Sequence, residues 1–403
     1  MGEDERTRAR RWRDSAVRLG SLLRRFVPSE PEVDGVVNEA DVRFMRRALA
    51  LAWNGVGLAR PNPMVGAVVV ADGRVAGEGW HEGPGTPHAE IVALGAAGER
   101  ALGATLYVTL EPCSHQGRTG PCAPVVAGAG IARVVASVQD PYDEVDGRGF
   151  ALLRERGAAV EVGLLADEGE ELIRGFATHS ATGRPFVTLK LAASLDGKIA
   201  ATDGSSTWIT SEESRLDAHR LRACSGAVMV GAGTAVADRP RLTVRLDGYR
   251  GRQPLRVVVD SSGRTPPDGP LFDGSAPTLM ATSRSAPEET LRAWVAAGAK
   301  VVVVGEDVEL GGLLDYLGTP PRDVQDLLIE GGATLAWSAV EEGVVDRLVV
   351  YFAPKLIGGE AAPGILGGKG FETLAAALPV EVRSVERVGP DVKVVADVHR
   401  RSA

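Results

Sequence analysis

Three potential metal ligands and one carboxylate lie close together in the first half of the sequence. His88 and Glu90 belong to the run PHAE, and Cys113 and Cys122 follow within EPC and PC. One imidazole and two thiolates select zinc over magnesium or calcium. Three protein ligands leave a fourth position for water, as in catalytic zinc sites, and Glu90 is placed to take a proton. The set predicts a zinc-dependent deaminase.

The segments around these residues predict the elements that hold them. HAEIVALGAAGERAL predicts a helix with His88 and Glu90 in its first turn, and ATLYVTLEP predicts a buried strand before Cys113. PCAPVVAGAG predicts a second helix that opens with proline. Both cysteines are therefore expected at or near helix starts, where the helix dipole favours the thiolate.

Other interpretations of these side chains stay open at this point. A single buried cysteine commonly packs as a small hydrophobic residue. A structural zinc site would need a fourth protein ligand, which His81 or His115 would have to supply.

Length, charge and cysteine content limit the class of protein. A chain of 403 residues is too long for one core and indicates two domains. The formal net charge of −8 argues against a nucleic-acid-binding partner, and no apolar run approaches the length of a membrane span. Two of the three cysteines belong to the proposed metal set, which excludes a disulfide framework and fits a cytoplasmic location.

Composition divides the chain into four segments. Residues 1–38 form an arginine-rich extension that is either disordered or a basic amphipathic helix. A zinc-dependent domain is expected over 39–180, with a β-hairpin turn at residues 71–73. ATGRP at 181–185 is predicted to be a linker, and a second domain is predicted over 186–403.

The second domain carries the pattern of an open α/β sheet. Strand-like runs alternate with helical stretches: PFVTLKLAAS, AVMVGAG, LRVVVDSS, KVVVVG, DLLIEGG and DRLVVYFAP. This order predicts a mostly parallel sheet that binds ligands at the carboxyl ends of its strands. The glycine turns in IEGGATLAWSAV and VGAGTAVAD each open a helix, which suits phosphate, although ordinary turns also produce such clusters.

Motifs in both halves resemble those of the bifunctional deaminase and reductase family of riboflavin biosynthesis. The matching runs are PNPMVGAVVV, GWHEGPGTPHAE, YVTLEPCSHQGRTGPC, KLAASLDGKIA, WITSEE, GTAVADRPRLTVR, VDSSGR, IEGGATL and APKLIGG. They occur in the family's order over about residues 40–400. The nine-residue step from Cys113 to Cys122 differs from the short C-x-x-C of nucleoside deaminases.

The resemblance implies a cytidine-deaminase-like zinc domain followed by a dihydrofolate-reductase-like α/β domain. The first domain would deaminate 2,5-diamino-6-(5-phosphoribosylamino)pyrimidin-4(3H)-one. The second would then use NADPH to reduce the ribosyl group, giving 5-amino-6-(5-phosphoribitylamino)uracil. The expected partner is this small phosphorylated substrate, and neither nucleic acid nor a membrane is expected to bind. A homo-oligomer formed through the reductase domain is also expected.

The resemblance also assigns roles to individual residues. One zinc ion would be held by His88, Cys113 and Cys122, with Glu90 as the proton shuttle. Substrate-binding positions are Asn62, Arg118, Ser206, Arg222, Leu242, Arg245 and Glu330. NADPH-binding positions are Ala192, Trp208, Thr234, Asp238, Ser261, Gly332, Ala333, Thr334, Leu335, Ala336, Trp337 and Ser338. Arg222 and Arg245 suit a phosphate, and Glu330 could accept hydrogen bonds from ribityl hydroxyls.

Some assignments keep an alternative. Trp208 could be an aromatic core residue, and Asp238 could cap a turn. The family's DPNP is DPYD at residues 140–143, so a side chain that could touch the deaminase substrate is changed. A nucleic-acid or nucleoside base deaminase with a non-catalytic second domain is the alternative for the whole chain.

Overall fold

The computed structural model describes residues 38–116 and 119–398. The chain divides into two compact units, Met1–Thr182 and Gly183–Ala403. The predicted amino-terminal extension lies outside the described residues except for Asn38, whose side chain accepts a hydrogen bond from the Ala40 N–H at the start of the first helix. Within the described ranges, no helix combines the length and apolar character needed to cross a membrane.

The first unit contains five helices and five strands among its described residues. Its helices are α1 (Glu39–Ala52), α2 (Ala89–Ala97), α3 (Cys122–Gly128), α4 (Arg148–Glu155) and α5 (Ala166–Thr182). Its strands are β1 (Gly66–Ala71), β2 (Arg74–Trp80), β3 (Thr105–Leu110), β4 (Arg133–Val138) and β5 (Ala159–Val162). Single 3₁₀ turns follow α1 at Trp53–Gly55 and α2 at Gly98–Ala101.

The five strands form one sheet between two layers of helices. Their order is β2-β1-β3-β4-β5, with β1 antiparallel to its neighbours and β3, β4 and β5 parallel. Side chains alternate between faces along β1, so Val69 packs with α2, α3 and α4 while Val68 packs with α1 and α5. The two faces thus have separate cores.

Local predictions for this unit are mostly confirmed. The hairpin joins β1 to β2 through Asp72 and Gly73, which have φ of 50° and 71° as a tight hairpin turn requires. The linker prediction is wrong at its start, because α5 continues through Ala181 and Thr182. The polar segment ATGRP lacks apolar periodicity, yet its first two residues complete the last turn of a 17-residue helix.

The second unit contains five helices and nine strands among its described residues. The helices are α6 (Glu212–Cys224), α7 (Ala232–Asp238), α8 (Glu288–Ala296), α9 (Leu310–Gly318) and α10 (Ala333–Glu341). The strands are β6 (Phe186–Ser194), β7 (Ala227–Gly231), β8 (Leu255–Val259), β9 (Thr278–Ser283), β10 (Lys300–Gly305), β11 (Asp326–Glu330), β12 (Arg347–Ala353), β13 (Val380–Val388) and β14 (Asp391–Val398). Single 3₁₀ turns occur at Pro270–Phe272 and Leu374–Ala376.

These strands form one sheet in the order β10-β9-β8-β7-β11-β6-β12-β14-β13. Pairing is parallel from β10 to β12 and antiparallel at β12/β14 and β14/β13, which confirms the mostly parallel prediction. The adjacent strands β7 and β11 both end at the same edge, and each leads directly into a helix. That edge is where the two predicted glycine turns meet.

Candidate functional site

Three different elements carry the potential metal ligands of the first unit. His88 is the residue that precedes α2, Glu90 lies in the first turn of α2, and Cys122 is the first residue of α3. Both cysteines were expected at or near helix starts; Cys122 begins α3, whereas Cys113 lies in the loop after β3. Its sulfur nevertheless reaches α3, since the Cys122 N–H donates to Cys113 Sγ at 3.4 Å.

The geometry of the three side chains fits a zinc ion. Their ligand atoms all lie within 4.8 Å of one another. His88 Nδ1 is 3.6 Å from Cys113 Sγ and 3.1 Å from Cys122 Sγ. Tetrahedral zinc with ordinary bond lengths separates such nitrogen and sulfur atoms by about 3.6 Å. A shift of about half an ångström at Cys122 would bring its sulfur to this separation from His88 Nδ1.

The thiols form a coupled pair. The pKa of Cys113 is lowered to about 4, mainly because the Cys122 thiol donates a hydrogen bond to its sulfur. The pKa of Cys122 is raised, because this thiol keeps the shared proton and is buried. Metal ligation requires that both sulfurs be deprotonated, so binding of the ion would release this proton.

Glu90 is a buried carboxyl group beside the ligands. Its side chain is 3% exposed, and burial raises its pKa to about 7. A carboxyl group in this state can both accept and return a proton near neutral pH. The environment of Glu90 therefore suits the proton shuttle that the sequence predicts.

Thr119 is a site residue that the sequence analysis did not identify. Thr119 Oγ1 lies 3.1 Å from His88 Nε2, so the ring can donate through Nε2 while Nδ1 faces the two sulfurs. Such partners fix the tautomer and the orientation of ligating histidines. The only indication in the sequence was that Thr119 lies between the two cysteines, and nothing there distinguishes Thr119 from nearby polar residues.

The histidines considered as a fourth ligand have other surroundings. His81 accepts from Asn62 Nδ2 through Nε2 at 2.9 Å and donates to the Pro87 carbonyl through Nδ1 at 3.3 Å. His115 packs edge to face on Tyr142, with 5.9 Å between ring centroids. Of the described residues, those clustered as potential ligands are His88, Cys113 and Cys122. Three ligands indicate a catalytic site and not a structural one.

A cavity of about 480 Å³ is lined by two of these residues, His88 and Cys113. The side chains that line it include His88, Glu90, Cys113, Asn62, His81, Glu111, His115, Thr119, Asp140, Tyr142, Phe176 and His179. Asn62, predicted to bind substrate, is thus next to the metal ligands. Arg118, predicted to bind the phosphate, lies outside the described residues.

The second unit brings the two predicted glycine turns together. Gly331 and Gly332 join β11 to α10 with φ of 78° and 83°, which glycine adopts readily. A Cβ on Gly332 would lie 3.1 Å from Oγ1 of Thr234, a residue of α7. Glycines leave the backbone uncovered by side chains at the starts of the two helices, α7 and α10. Such helix starts fit the phosphates of a dinucleotide.

The predicted cofactor stretch in α10 divides into two parts. Leu335, Ala336 and Trp337 are buried in the hydrophobic core of the second unit. The preceding residues Gly332, Ala333 and Thr334 are the ones left accessible at the start of the helix. Backbone groups at that start, and not the buried side chains, are available to a cofactor.

The remaining predicted cofactor residues lie at several strand and helix ends. Ala192 is near the end of β6, Asp238 ends α7, and Ser261 follows β8. Trp208 is 66% exposed, which excludes the core alternative, and the Arg215 guanidinium lies 4.6 Å from its ring centroid.

Arg222 and Glu330, both predicted to bind substrate, bind each other. Arg222 Nε and Nη2 donate to the two Glu330 carboxylate oxygens at 2.5 and 2.8 Å, and Nη1 donates to the Thr243 carbonyl at 3.1 Å. Two of the five guanidinium N–H donors remain for a ligand. Arg245 is exposed nearby and Ser206 is half-buried, whereas the Leu242 side chain is buried.

Two ionisable groups near this ion pair, Lys190 and His219, were missed by the sequence analysis, and Arg245, which it did assign, lies beside them. Lys190 on β6 is paired in register with Glu330, and burial lowers its pKa. Burial and the charges of Arg222 and Arg245 lower the pKa of His219 to about 4. Burial lowers the pKa of Arg245, as do the charges of Arg222 and Arg241. Such a concentration of positive charge favours binding of an anion. Lys190 could not be found from the sequence, because its place beside Glu330 follows only from the pairing of β6 with β11.

Comparisons with known proteins match both units. A family model described as the RibD C-terminal domain matches residues 185–394, and one described as the cytidine and deoxycytidylate deaminase zinc-binding region matches 38–138. The riboflavin biosynthesis protein RibD of Escherichia coli is 42% identical over 363 residues, which cover 87% of this chain and 98% of that protein.

Two solved structures are similar over nearly their whole length. RibD of Acinetobacter baumannii has a TM-score of 0.80 and 36% identity, covering 90% of this chain and 99% of that one. A diaminohydroxyphosphoribosylaminopyrimidine deaminase/5-amino-6-(5-phosphoribosylamino)uracil reductase of Thermotoga maritima has a TM-score of 0.78 and 33% identity, with the same coverage. Matches through both units favour two activities over a base deaminase with a non-catalytic second domain. The chain therefore belongs to the RibD family, the bifunctional deaminases and reductases of riboflavin biosynthesis.

Proposed function

We propose that the first unit deaminates 2,5-diamino-6-(5-phosphoribosylamino)pyrimidin-4(3H)-one and that the second unit then reduces the ribosyl group of the product with NADPH. The observation that carries the first step is the cluster of His88, Cys113 and Cys122, at a cavity that His88, Cys113 and the buried Glu90 line. Deaminase and reductase domains would correspond to residues 39–180 and 186–403.

The deamination depends on a proton moved by Glu90. His88, Cys113 and Cys122 would hold one zinc ion, which when bound supplies a Lewis acid that makes water a better nucleophile at neutral pH. Glu90 would take one proton from the attacking water and give it to the ring nitrogen, then take the proton of the newly added hydroxyl and give it to the amino group, which leaves as ammonia as the carbonyl forms. Asn62, oriented by His81, would bind the pyrimidine, and Arg118 its phosphate.

The reduction depends on how the second unit orients sugar and cofactor. Bound NADPH would supply the hydride. The backbone at Gly332 and the Thr234 hydroxyl would bind its phosphates, and Ala192, Trp208, Asp238 and Ser261 would contact the rest of the cofactor. Arg245 and the free donors of Arg222 would bind the substrate phosphate.

Lys190 and Glu330 are the groups proposed to act at the ribose. Lys190 is a half-buried ammonium group beside the Glu330 carboxylate, and desolvation lowers its pKa, which makes it a better proton donor. We place Lys190 as the donor to the sugar oxygen and Glu330 as an acceptor of its hydroxyl groups. Removal of the Lys190 amine should abolish NADPH oxidation while ammonia release continues.

We also propose a cytoplasmic homo-oligomer that assembles through the second unit. Val382 and Val385 on the outermost strand β13 are 57% and 64% exposed, and exposed valines on an edge strand offer a surface that a second copy can cover. A charge introduced at Val385 should reduce the mass measured by light scattering. An unchanged mass would place the interface elsewhere.

A coupled assay tests both activities and their order. Purified protein of known zinc content receives the diaminopyrimidine with and without NADPH. Ammonia should appear without NADPH, and NADPH should be oxidised only after ammonia release. Glu90→Gln should lower the deamination rate at least 100-fold while zinc content and reduction of the deaminated substrate stay unchanged. Zinc-loaded wild-type protein that releases no ammonia would contradict the proposal.

A further inference from the structure

Glu111 is a buried carboxylate that binds four backbone N–H groups of one distant segment. The side chain is 3% exposed. Its Oε2 accepts from the N–H groups of Asp140 at 3.2 Å and Gly147 at 3.0 Å. Its Oε1 accepts from those of Gly149 at 2.8 Å and Phe150 at 3.2 Å. Each oxygen thus joins two points of the segment that runs from β4 into α4.

These bonds take the place of a helix cap. Gly147 is the residue before α4 and has no side chain with which to bind the free N–H groups of the first turn. Glu111 supplies the acceptor from 36 residues away. The fit is close, because a Cβ on Gly149 would lie 1.9 Å from the Pro112 carbonyl oxygen. Substitution of Gly149 would separate α4 from the loop that begins at Glu111.

The segment held in this way forms a wall of the deaminase cavity. Asp140 and Tyr142 line the cavity together with His88 and Cys113. The Tyr142 N–H donates to Asp140 Oδ1 at 2.9 Å, and the Tyr142 ring packs on His115. Gln139 closes the segment by donating to Asp146 Oδ1 at 2.8 Å. The position of Tyr142 therefore depends on where the two ends of the segment are fixed.

We propose that Glu111 is a positioning residue for deamination: by capping α4 it fixes the segment 139–147, which we name the cavity loop, so that Asp140 and Tyr142 form the substrate-facing wall. The inference rests on the proposed function. Glu111 lies two residues before Cys113, so one short stretch of chain holds both a metal ligand and the carboxylate that fixes the cavity loop.

The proposed role separates substrate binding from chemistry. The metal ligands lie at α2, α3 and the loop after β3, and Glu90 lies on α2. Loss of the cap should displace the cavity loop and leave those groups in place. The KM of deamination should rise while kcat and zinc content change little.

The first test is Glu111→Gln, which keeps the size of the side chain and replaces one acceptor oxygen by a donor. We expect a rise in KM of about tenfold or more, since buried N–H groups are left unpaired, and a change in kcat of less than about threefold. Reduction of the deaminated substrate should be unaffected. An unchanged KM in folded, zinc-loaded protein would overturn the proposal.

A matched control separates positioning from general stabilisation. Asp41 is another buried carboxylate of the same unit; it accepts hydrogen bonds from Tyr107 and Arg133 and does not line the cavity. Asp41→Asn should lower the melting temperature without raising KM. Equal rises in KM for both variants would assign Glu111 a purely structural role.

Two measurements remain decisive if Glu111→Gln does not fold. The first uses Glu111→Asp, which keeps the charge and shortens the side chain. The double variant Glu111→Asp/Tyr142→Ala should raise KM by less than the product of the two single fold-changes, because both substitutions act through the cavity loop. Independent, multiplicative effects would contradict the proposal.

Hydrogen exchange of the amides at residues 147–150 should accelerate in Glu111→Asp, with or without substrate. Unchanged exchange there would overturn the capping role, whereas wild-type protein that releases no ammonia would contradict only the proposed function.

Discussion

Thr119 connects the orientation of the His88 ring to the segment between the two cysteines. If the hydroxyl holds the ring through Nε2, Thr119→Val should weaken zinc binding about 10- to 100-fold, the usual effect of losing such a partner. Competition with a chromophoric chelator measures this affinity. Thr119→Ser keeps the hydroxyl and should bind zinc like the wild type; equal affinities in all three proteins would show that the contact is not needed.

His219 gives the second unit a defined dependence on pH. Its pKa falls from 6.5 to about 4 on folding, because burial and the charges of Arg222 and Arg245 disfavour the imidazolium. The unfolded chain takes up the proton first as pH decreases, so the unfolding free energy should fall between about pH 6.5 and 4. After allowance for solvent screening, the loss attributable to this group is about 1–2 kcal/mol.

Urea unfolding of the wild type and of His219→Gln at pH 7 and pH 5 tests this sign. The wild type should lose more stability than the variant between the two pH values. An identical loss in both would show that other groups cause the pH dependence.

At the scale of elements, the turn between β11 and α10 is the most sensitive place for cofactor binding. Gly332→Ala would add a Cβ at a φ of 83° and 3.1 Å from Thr234 Oγ1, so the KM for NADPH should rise about tenfold or more. Gly343→Ala is a matched control, because this glycine has a φ of 64° and open space around its Cβ position. Both variants should lose similar stability, and a rise in KM with Gly343→Ala would assign the effect to backbone strain alone.

The elements also show what sequence reasoning can reach. The hairpin at Asp72, the strand before Cys113 and the glycine turns were predictable, because periodicity and turn chemistry are local. Cys113 was expected at or near a helix start; its sulfur reaches the start of α3 from a loop, which no local pattern describes. Strand β13 was missed because its VEVRSVERV alternates valine with charge at an edge of the sheet.

Contacts between distant residues were beyond the sequence without a structure. Arg222 and Glu330 were both assigned to substrate, yet no pattern indicated that residues 108 positions apart bind each other. The same applies to Glu111, whose place beside Pro112 and Cys113 suggested a motif residue and not a helix cap.

At the scale of the whole molecule, the division at Thr182 predicts two unfolding transitions. Zinc should stabilise one transition and NADPH the other, each by about 3 kcal/mol at a ligand concentration 100 times its Kd. Calorimetry of the full chain with a chelator, and separately with NADPH, measures both shifts. Transitions that move together with either ligand would show that the units unfold as one.

The bidentate pair of Arg222 and Glu330 restricts how this enzyme can evolve. Exchange of Glu330 leaves Arg222 without its carboxylate, and exchange of Arg222 leaves Glu330 with Lys190 but without its bidentate partner; breaking such a pair typically costs about 3–5 kcal/mol. Natural domains are stable by only about 5–15 kcal/mol, so either single exchange removes a large share of the margin. A lineage that acquires a different sugar substrate at this site must therefore replace both residues together or first gain stability elsewhere in the domain.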